Sequence, residues 1–181
     1  SAGGYHSCAL DTGDSIDCWG AGRSDSEASP DHGQSIPPAG SYRSLAAGLH
    51  HSCALDSEGQ ARCWGADDNG QAAAPPEAFA QLSAGGHHSC GLEVGGELAC
   101  WGAADGGPED YGQVTDTPSE GGWVQVAAGL HHSCALSVSG ELSCWGAGTS
   151  DLGAAPDHGQ SDPPEGVYVW VGAGSHHTCA M

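Results

Sequence analysis

Short apolar stretches recur along the chain, each followed by a step of small residues and then by two cysteine-bearing segments, of which the last stretch has only the first. The stretches are Tyr42-Arg-Ser-Leu45, Phe79-Ala-Gln-Leu82, Trp123-Val-Gln-Val126 and Tyr168-Val-Trp-Val171. Their alternation with period two predicts strands, and no segment carries a useful length of helical periodicity. After each small-residue step, such as Ala46-Ala47-Gly48, comes H-x-C-x-L, a polar turn and then C-W-G. His6, Cys8, Cys18 and Trp19 open the series, followed by His51, Cys53, Cys63 and Trp64. His88, Cys90, Cys100 and Trp101, then His132, Cys134, Cys144 and Trp145, make the third and fourth copies. His177 and Cys179 begin a fifth. A loop rich in Gly, Pro, Asp and Ser closes each unit, giving approximate units 1–41, 42–78, 79–122, 123–167 and a partial 168–181. Self-similarity at such a period predicts a stacked or radial architecture, here all-β.

Within a unit the two cysteine segments predict a hairpin. Cys53-Ala-Leu-Asp56 and Gln60-Ala-Arg-Cys63 flank Ser57-Glu58-Gly59, a three-residue loop with Gly59 in the left-handed position. That centre sets Cys53 opposite Cys63, near disulfide range. Gly96 and Gly140 repeat the Gly59 position, whereas in the first copy Gly13 falls one residue early and leaves its turn type open. The expected bonds are Cys8–Cys18, Cys53–Cys63, Cys90–Cys100 and Cys134–Cys144, with Cys179 unpaired or intermolecular. Each closes about 11 residues and stabilises by about 2.8 kcal/mol in the chain-entropy model. The rival reading is metal: His51 alternates onto the face of Cys53, with Cys63 across from them. That Cys2His set is one ligand short of a closed zinc site, and His50 points the other way.

Composition shows why staples matter. Leu, Ile, Val and Phe make up 22 of the 181 residues, a content at which a highly charged chain is expected to be disordered unless something besides bulk burial holds it. Paired cysteines would do so, in an oxidising compartment: secreted or at a cell surface. The net charge is −20, with three arginines and no lysine. Nucleic acid is excluded as a partner for want of phosphate-neutralising cations, and no apolar run is long enough for membrane insertion. The chain does not begin with Met and shows no signal peptide, as expected of a processed chain or a piece of a longer one.

The second unit reads Ala47-Gly48-Leu-His-His51-Ser52-Cys-Ala54-Leu55, then Trp64-Gly65-Ala-Asp67-Asp-Asn-Gly70-Gln71. It resembles the regulator of chromosome condensation repeat family, with Asp67 where that family usually has Asn, and the cysteine pair resembles its extracellular bacterial members. The resemblance implies a β-propeller or propeller-like array of repeats. Seven blades at this period need roughly 300 residues, so four units and the start of a fifth are not expected to close such a ring alone. Members include a guanine-nucleotide exchange factor and an inhibitor of β-lactamases. The acidity and cysteine pairing of this chain speak against exchange, and no residue here matches the inhibitor.

Residues that recur in every unit are expected to build the unit. His6, His51, His88, His132 and His177 are read as structural hydrogen-bonding groups. Adjacent His, Ser and Cys side chains on a strand face opposite ways, so catalysis is not expected. Trp19, Trp64, Trp101 and Trp145 are read as packing between blades. The preceding His50, His87, His131 and His176 offer a ring that could bind metal or respond to pH, although packing or solvated roles are commoner. Asp67 and Asp68 are the weak calcium candidates; no calcium motif matches, and no cofactor or metal is expected. The loop Pro30-Asp-His-Gly-Gln-Ser35 recurs at Pro156-Asp-His-Gly-Gln-Ser161, through duplication or through facing a common partner. The sequence thus predicts a non-catalytic extracellular module that binds a protein or glycan. The alternatives are a subunit assembling with copies of itself through its unfinished blade, and a metal-binding surface protein.

Overall fold

A computed structural model describes residues 1–24, 30–148 and 157–181. Pro156, which opens the second copy of the recurring loop motif, lies outside the described residues. Strands β1 (His6–Leu10) and β2 (Ile16–Gly20) form the first hairpin. Three sheets of three antiparallel strands follow. The first contains β3 (Tyr42–Ala47), β4 (His51–Asp56) and β5 (Ala61–Gly65). The second contains β6 (Phe79–Ala84), β7 (His88–Glu93) and β8 (Leu98–Gly102). The third contains β9 (Trp123–Ala128), β10 (His132–Ser137) and β11 (Leu142–Gly146). A last pair joins β12 (Val171–Ala173) to β13 (Thr178–Ala180). The H-x-C strand is central in each three-stranded sheet.

Register follows from the hairpin turns. Cys8 faces Cys18, Cys53 faces Cys63, Cys90 faces Cys100 and Cys134 faces Cys144. Each pair is bonded, with S–S distances of 2.00, 2.03, 2.04 and 2.02 Å. Gly59, Gly96 and Gly140 take positive φ at the turns, and in the first hairpin Asp14 (φ 63°) does so rather than Gly13. The turn is preserved because the Asp11 carboxylate accepts the Gly13 and Ser15 amides at 2.8 and 2.9 Å. Asp56 does the same for Glu58 and Gln60 at 3.0 and 2.9 Å. An Asx turn thus holds the geometry, and Asp is among the few residues that tolerate the left-handed region.

One expected strand is shorter than the alternation suggests. Of Tyr168–Val171, only Val171 lies in β12. Val169 still donates to the Met181 carbonyl and Met181 to the Trp170 carbonyl, but the pairing is irregular, and Val169 remains 82% exposed.

The units pack radially without a shared core. Buried side chains form four thin clusters, each spanning two successive units. Cys8, Ile16, Tyr42, Ala54 and Trp64 join the first to the second. Leu55, Phe79, Leu82 and Trp101 join the second to the third. Leu92, Val126, Ala135 and Trp145 join the third to the fourth, and Cys134, Leu136 and Val171 join the fourth to the fifth. Each cluster contains a cysteine of the earlier unit's disulfide, so the staple doubles as core. This is how so few large apolar residues suffice.

Along the inner edge the small-residue steps lie side by side and exchange backbone bonds from unit to unit. Gly4 donates to the Gly48 carbonyl, Leu49 to Gly85, Gly86 to Gly129 and Leu130 to Ser175, at 3.0–3.3 Å. Residues of all five units line one open groove there. Among the described residues no helix is long and apolar enough to cross a membrane.

Candidate functional site

The repeated histidine is the first element of every junction. Gly48 donates its amide to the His51 carbonyl at 2.9 Å, closing a tight turn. A Cβ on Gly48 would lie 2.6 Å from His51 Cε1, so the spacing G-x-x-H exists to seat the ring under the backbone. His51 is fully buried, and its Nε2 lies 2.8 Å from Ser89 Oγ of the next unit. The same contact joins His6 to Ser52 at 2.6 Å, His88 to Ser133 at 2.8 Å and His132 to Thr178 at 2.9 Å. Ser89 donates its own hydroxyl proton to the Gln71 carbonyl, and Thr178 to the Gln160 carbonyl. At these two junctions the hydroxyl therefore accepts, and the histidine, His51 or His132, is neutral with its proton on Nε2. Burial drives the pKa of His51 and His88 down to about 3 and that of His6 and His132 to about 4, with neighbouring histidines adding to the shift.

A Ser–His contact also raises the question of nucleophilic catalysis. Sequence neighbours do face opposite ways, yet the structure forms the contact across repeats. Ser52, Ser89 and Ser133 are nonetheless at most 1% exposed, so no substrate reaches them, and the adjacent cysteines are consumed in disulfides.

The second element of the junction is a glutamine that sequence reasoning used only as part of a motif. Gln34, Gln71, Gln113 and Gln160 are all buried. Each folds its side chain back on its own loop: Oε1 accepts the amide two residues earlier, from His32, Asn69, Tyr111 or His158, at 2.6–2.8 Å. The backbone carbonyls of Gln34, Gln71 and Gln113 accept the indole N–H of Trp64, Trp101 and Trp145 of the following unit, at 2.9, 3.0 and 2.9 Å. These three indoles are buried. Trp19 differs: it is 50% exposed and has no such partner among the described residues. The recurrence of Gly-Gln in loops of different sequence was the signal that could have found the glutamines.

One face of the array carries the candidate site. There the residue before each structural histidine meets the residue two before each glutamine. His50 stacks on Tyr5 with ring centroids 4.9 Å apart and meets His32 edge-on at 5.1 Å. His87 and His131 stack at 6.3 Å, Tyr111 packs on His131 at 4.8 Å, and His158 on His176 at 5.6 Å. Glu109 Oε2 lies between the stacked pair, 3.5 Å from His87 Nε2 and 3.7 Å from His131 Nδ1. Burial lowers the pKa of His50 and His131, with Glu109 opposing the shift at His131. Most of these rings are half-buried, with Tyr5, His158 and His176 exposed. The result is three groups of imidazole and phenol rings, Tyr5–His50–His32, His87–His131–Tyr111 and His158–His176, supplied by five units.

The metal candidates are placed elsewhere. The Asp67 carboxylate accepts the Ala72 amide at 2.8 Å and closes its own loop, while Asp68 is exposed. Among the described residues no group of three or more His, Cys, Asp or Glu is arranged to hold a metal. Cys179 is a free, exposed thiol on β13.

Radially packed, disulfide-stapled three-stranded sheets joined by a repeated His–Ser and Trp–Gln junction define a β-propeller repeat protein. Residues 42–71 and 123–151 match the model of the regulator of chromosome condensation (RCC1) repeat, and the chain has a propeller-like fold in which those two segments carry that repeat. Among solved structures it is similar to the CRINKLY WD40 ectodomain of the Arabidopsis thaliana receptor kinase ACR4, at 25% identity and TM-score 0.70 over 99% of this chain and 57% of that one. The entire ectodomain of the Physcomitrella patens receptor kinase CR4 is similar at 25% identity and TM-score 0.74, over 99% of this chain and 45% of that one. Yeast RCC1 (Prp20), solved bound to Kap60, matches at 22% identity and TM-score 0.70, over 98% and 52%. The chain thus spans about half the length of these structures. No curated protein matches it.

Proposed function

We propose that the protein is a non-catalytic binding module acting in an oxidising, extracellular setting, and that its partner is a protein gripped by the histidine–tyrosine face. The observation that carries this reading is the half-exposed groups of rings from His32 and Tyr5 to His176, supplied by five units. Structural packing alone does not require these side chains, because the buried His–Ser and Trp–Gln pairs already join the units. Aromatic and imidazole groups with one polar edge in water suit protein recognition. The net charge of −20 favours a partner with a basic surface. Two receptor-kinase ectodomains share the fold, and the four intramolecular disulfides suit secretion or display at a cell surface. A second structure of yeast Prp20p is described with that protein's binding properties to Gsp1p and histones, which supports a protein as the kind of partner.

The test is site-specific photo-crosslinking in an extracellular protein mixture, with the reactive group at Tyr111 in one sample and at the exposed hairpin-tip residue Val138 in another. A discrete protein adduct from Tyr111, lost in His87→Ala/His131→Ala, is expected. Adducts that come equally from Val138, or binding to a glycan array with no protein adduct, would overturn the reading.

A further inference from the structure

The loops that close the units differ in what their carboxylates do. Asp31 accepts the Gly22 amide at 2.5 Å, Asp67 the Ala72 amide at 2.8 Å and Asp157 the Gly148 amide at 2.7 Å. Asp110 accepts from both Gly106 and Gly112, at 2.8 and 3.0 Å. Each of these carboxylates ties its own loop to the backbone. Glu109 stands apart. Its carboxylate is turned to the ring face, between His87 and His131, and its side chain is 36% exposed. Among the described residues its ion-pair partners are those two imidazoles and no arginine.

The two imidazoles serve that carboxylate poorly. The Asn69 side-chain amide donates to His87 Nδ1 at 3.4 Å, which places the His87 proton on Nε2, 3.5 Å from Glu109 Oε2. His131 Nδ1 is 3.7 Å away, beyond hydrogen-bond reach, and burial lowers the pKa of that ring. Charge-assisted bonds to a carboxylate close to about 2.7–2.9 Å, so the lone pairs of Glu109 are left unfilled. Half-buried aromatic surface lies beside it. Tyr111, two residues along the same loop, packs on His131 at 4.8 Å, and the His87 and His131 rings are nearly parallel, at 8°. A carboxylate bordered by ring faces suits one kind of cation best. A guanidinium is planar, presents forked N–H donors and stacks on aromatic faces, whereas an ammonium is a compact, strongly hydrated charge.

We propose that the partner engages this place through an arginine, its guanidinium paired with the Glu109 carboxylate and lying against the Tyr111 and His131 rings. The inference rests on the reading that the histidine–tyrosine face binds a protein, and it names the side chain that the face selects. The net charge of −20 attracts cations to the whole chain. Glu109 and its rings fix where one of them binds and which kind it is.

The test is a nuclear magnetic resonance titration of the 181-residue chain at about 0.15 M salt, where long-range attraction is screened. The probes are N-acetyl-arginine methylamide, its lysine counterpart and its citrulline counterpart, an uncharged isostere. The arginine probe is expected to give saturable shifts of the His87, His131 and Tyr111 ring signals. The lysine probe should bind several-fold more weakly, and the citrulline probe should give no shift. Glu109→Gln loses only contacts to two side chains, is expected to stay folded by circular dichroism, and should weaken the arginine probe about tenfold. Glu58→Gln, an exposed carboxylate at the second unit's hairpin turn, should leave it unchanged. Equal binding of arginine and lysine, equal effects of the two variants, or no response to the arginine probe overturns the proposal. Crosslinking from Tyr111 separates it from the reading on which it rests. A protein adduct without a response to the arginine probe overturns the arginine alone. An arginine response without any protein adduct supports the guanidinium site and overturns the protein partner.

Discussion

The first and second hairpins share a motif, a register and a disulfide, yet one is half bare and the other is sealed. Cys8 faces Cys18 as Cys53 faces Cys63, and His6 faces Gly20 as His51 faces Gly65. Ala54 and Leu55 are fully buried, while Ala9 is exposed and Leu10 half-buried. Trp64 is 9% exposed and Trp19 50%. Local sequence therefore builds the hairpin, and the preceding unit buries its tryptophan. In this architecture the energy that resists unfolding is stored between repeats, as nearest-neighbour models of repeat proteins hold.

That contrast is broken most sharply by removing equivalent tryptophans. Trp101→Ala leaves a cavity between units and deletes the bond to the Gln71 carbonyl, so a loss of about 3–5 kcal/mol is expected. Trp19→Ala should change stability by about 0.5 kcal/mol or less, as surface substitutions do. Urea denaturation of dilute samples, below any self-association, measures both. Equal losses would show that the hairpin itself, and not its neighbour, uses the ring. The staples should behave in the opposite way. Replacing Cys8 and Cys18 by serine, or Cys53 and Cys63, opens a loop of the same length and is expected to cost about 2.8 kcal/mol through the unfolded chain. The two costs should be alike, because Cys8 packs in a junction cluster with Tyr42 and Trp64 as Cys53 does with Phe79 and Trp101. A first-pair cost well below the second would show that the staples, like the tryptophans, depend on the preceding unit.

The sequence was most informative where a feature is local. The ten-residue cysteine spacing gave the hairpin, its register and its disulfide, because a strand's two-residue period and a short turn leave little freedom. The repeat period and the motif around His51 gave the propeller class. What could not be read is which residues meet across units. The partner of His51 is Ser89, 38 residues away, and no local period encodes that distance when the loops vary in length. Gln34 and Gln113 were not read as junction residues for a related reason. Buried glutamine is uncommon, and its burial here depends on a loop folding back on itself and on a tryptophan from the next unit. Trp19 was grouped with the other three because sequence shows the residue and not the neighbour. Tyr168–Val171 alternates as a strand should, yet it pairs irregularly at the outer face of the array.

Acid should weaken the buried junctions. His51 and His88 have folded-state pKa values near 3, against about 6.5 unfolded. Between those values the unfolded chain binds the extra protons, so stability rises with pH. The contribution is fully present above about 6.5 and is lost as pH falls toward 3. Each such histidine removes up to about 1.4 kcal/mol per pH unit in that window. His51→Gln keeps a donor for Ser89 but cannot titrate. Its thermal midpoint should therefore fall less steeply between pH 6.5 and 5 than that of the parent chain, a difference worth about 2 kcal/mol at pH 5. Comparing slopes rather than midpoints removes the packing cost of the substitution. It also removes the stabilisation that acid brings by relieving the −20 charge. Parallel slopes for His51→Gln and the parent would mean the ring is reached by water.

The smallest expected effect lies in the turns. Asp14 holds φ 63° where Gly59 holds 84°. The left-handed region costs a non-glycine residue about 1–2 kcal/mol, and Asp less than most. Glycine gives back part of any gain through its freer unfolded chain. Asp14→Gly should then stabilise by about 0.5 kcal/mol, provided the Asp11 carboxylate continues to hold the turn. The reverse change is not symmetric. A Cβ at Gly59 would sit 3.0 Å from the Phe79 carbonyl oxygen and 3.4 Å from Arg43 Nη2, so the next unit crowds the second hairpin's turn. Gly59→Asp should therefore cost more than Asp14→Gly gains, about 1–2 kcal/mol. A urea midpoint series on the two variants decides the point: equal and opposite shifts would mean that the turns, unlike the tryptophans, are indifferent to their neighbours.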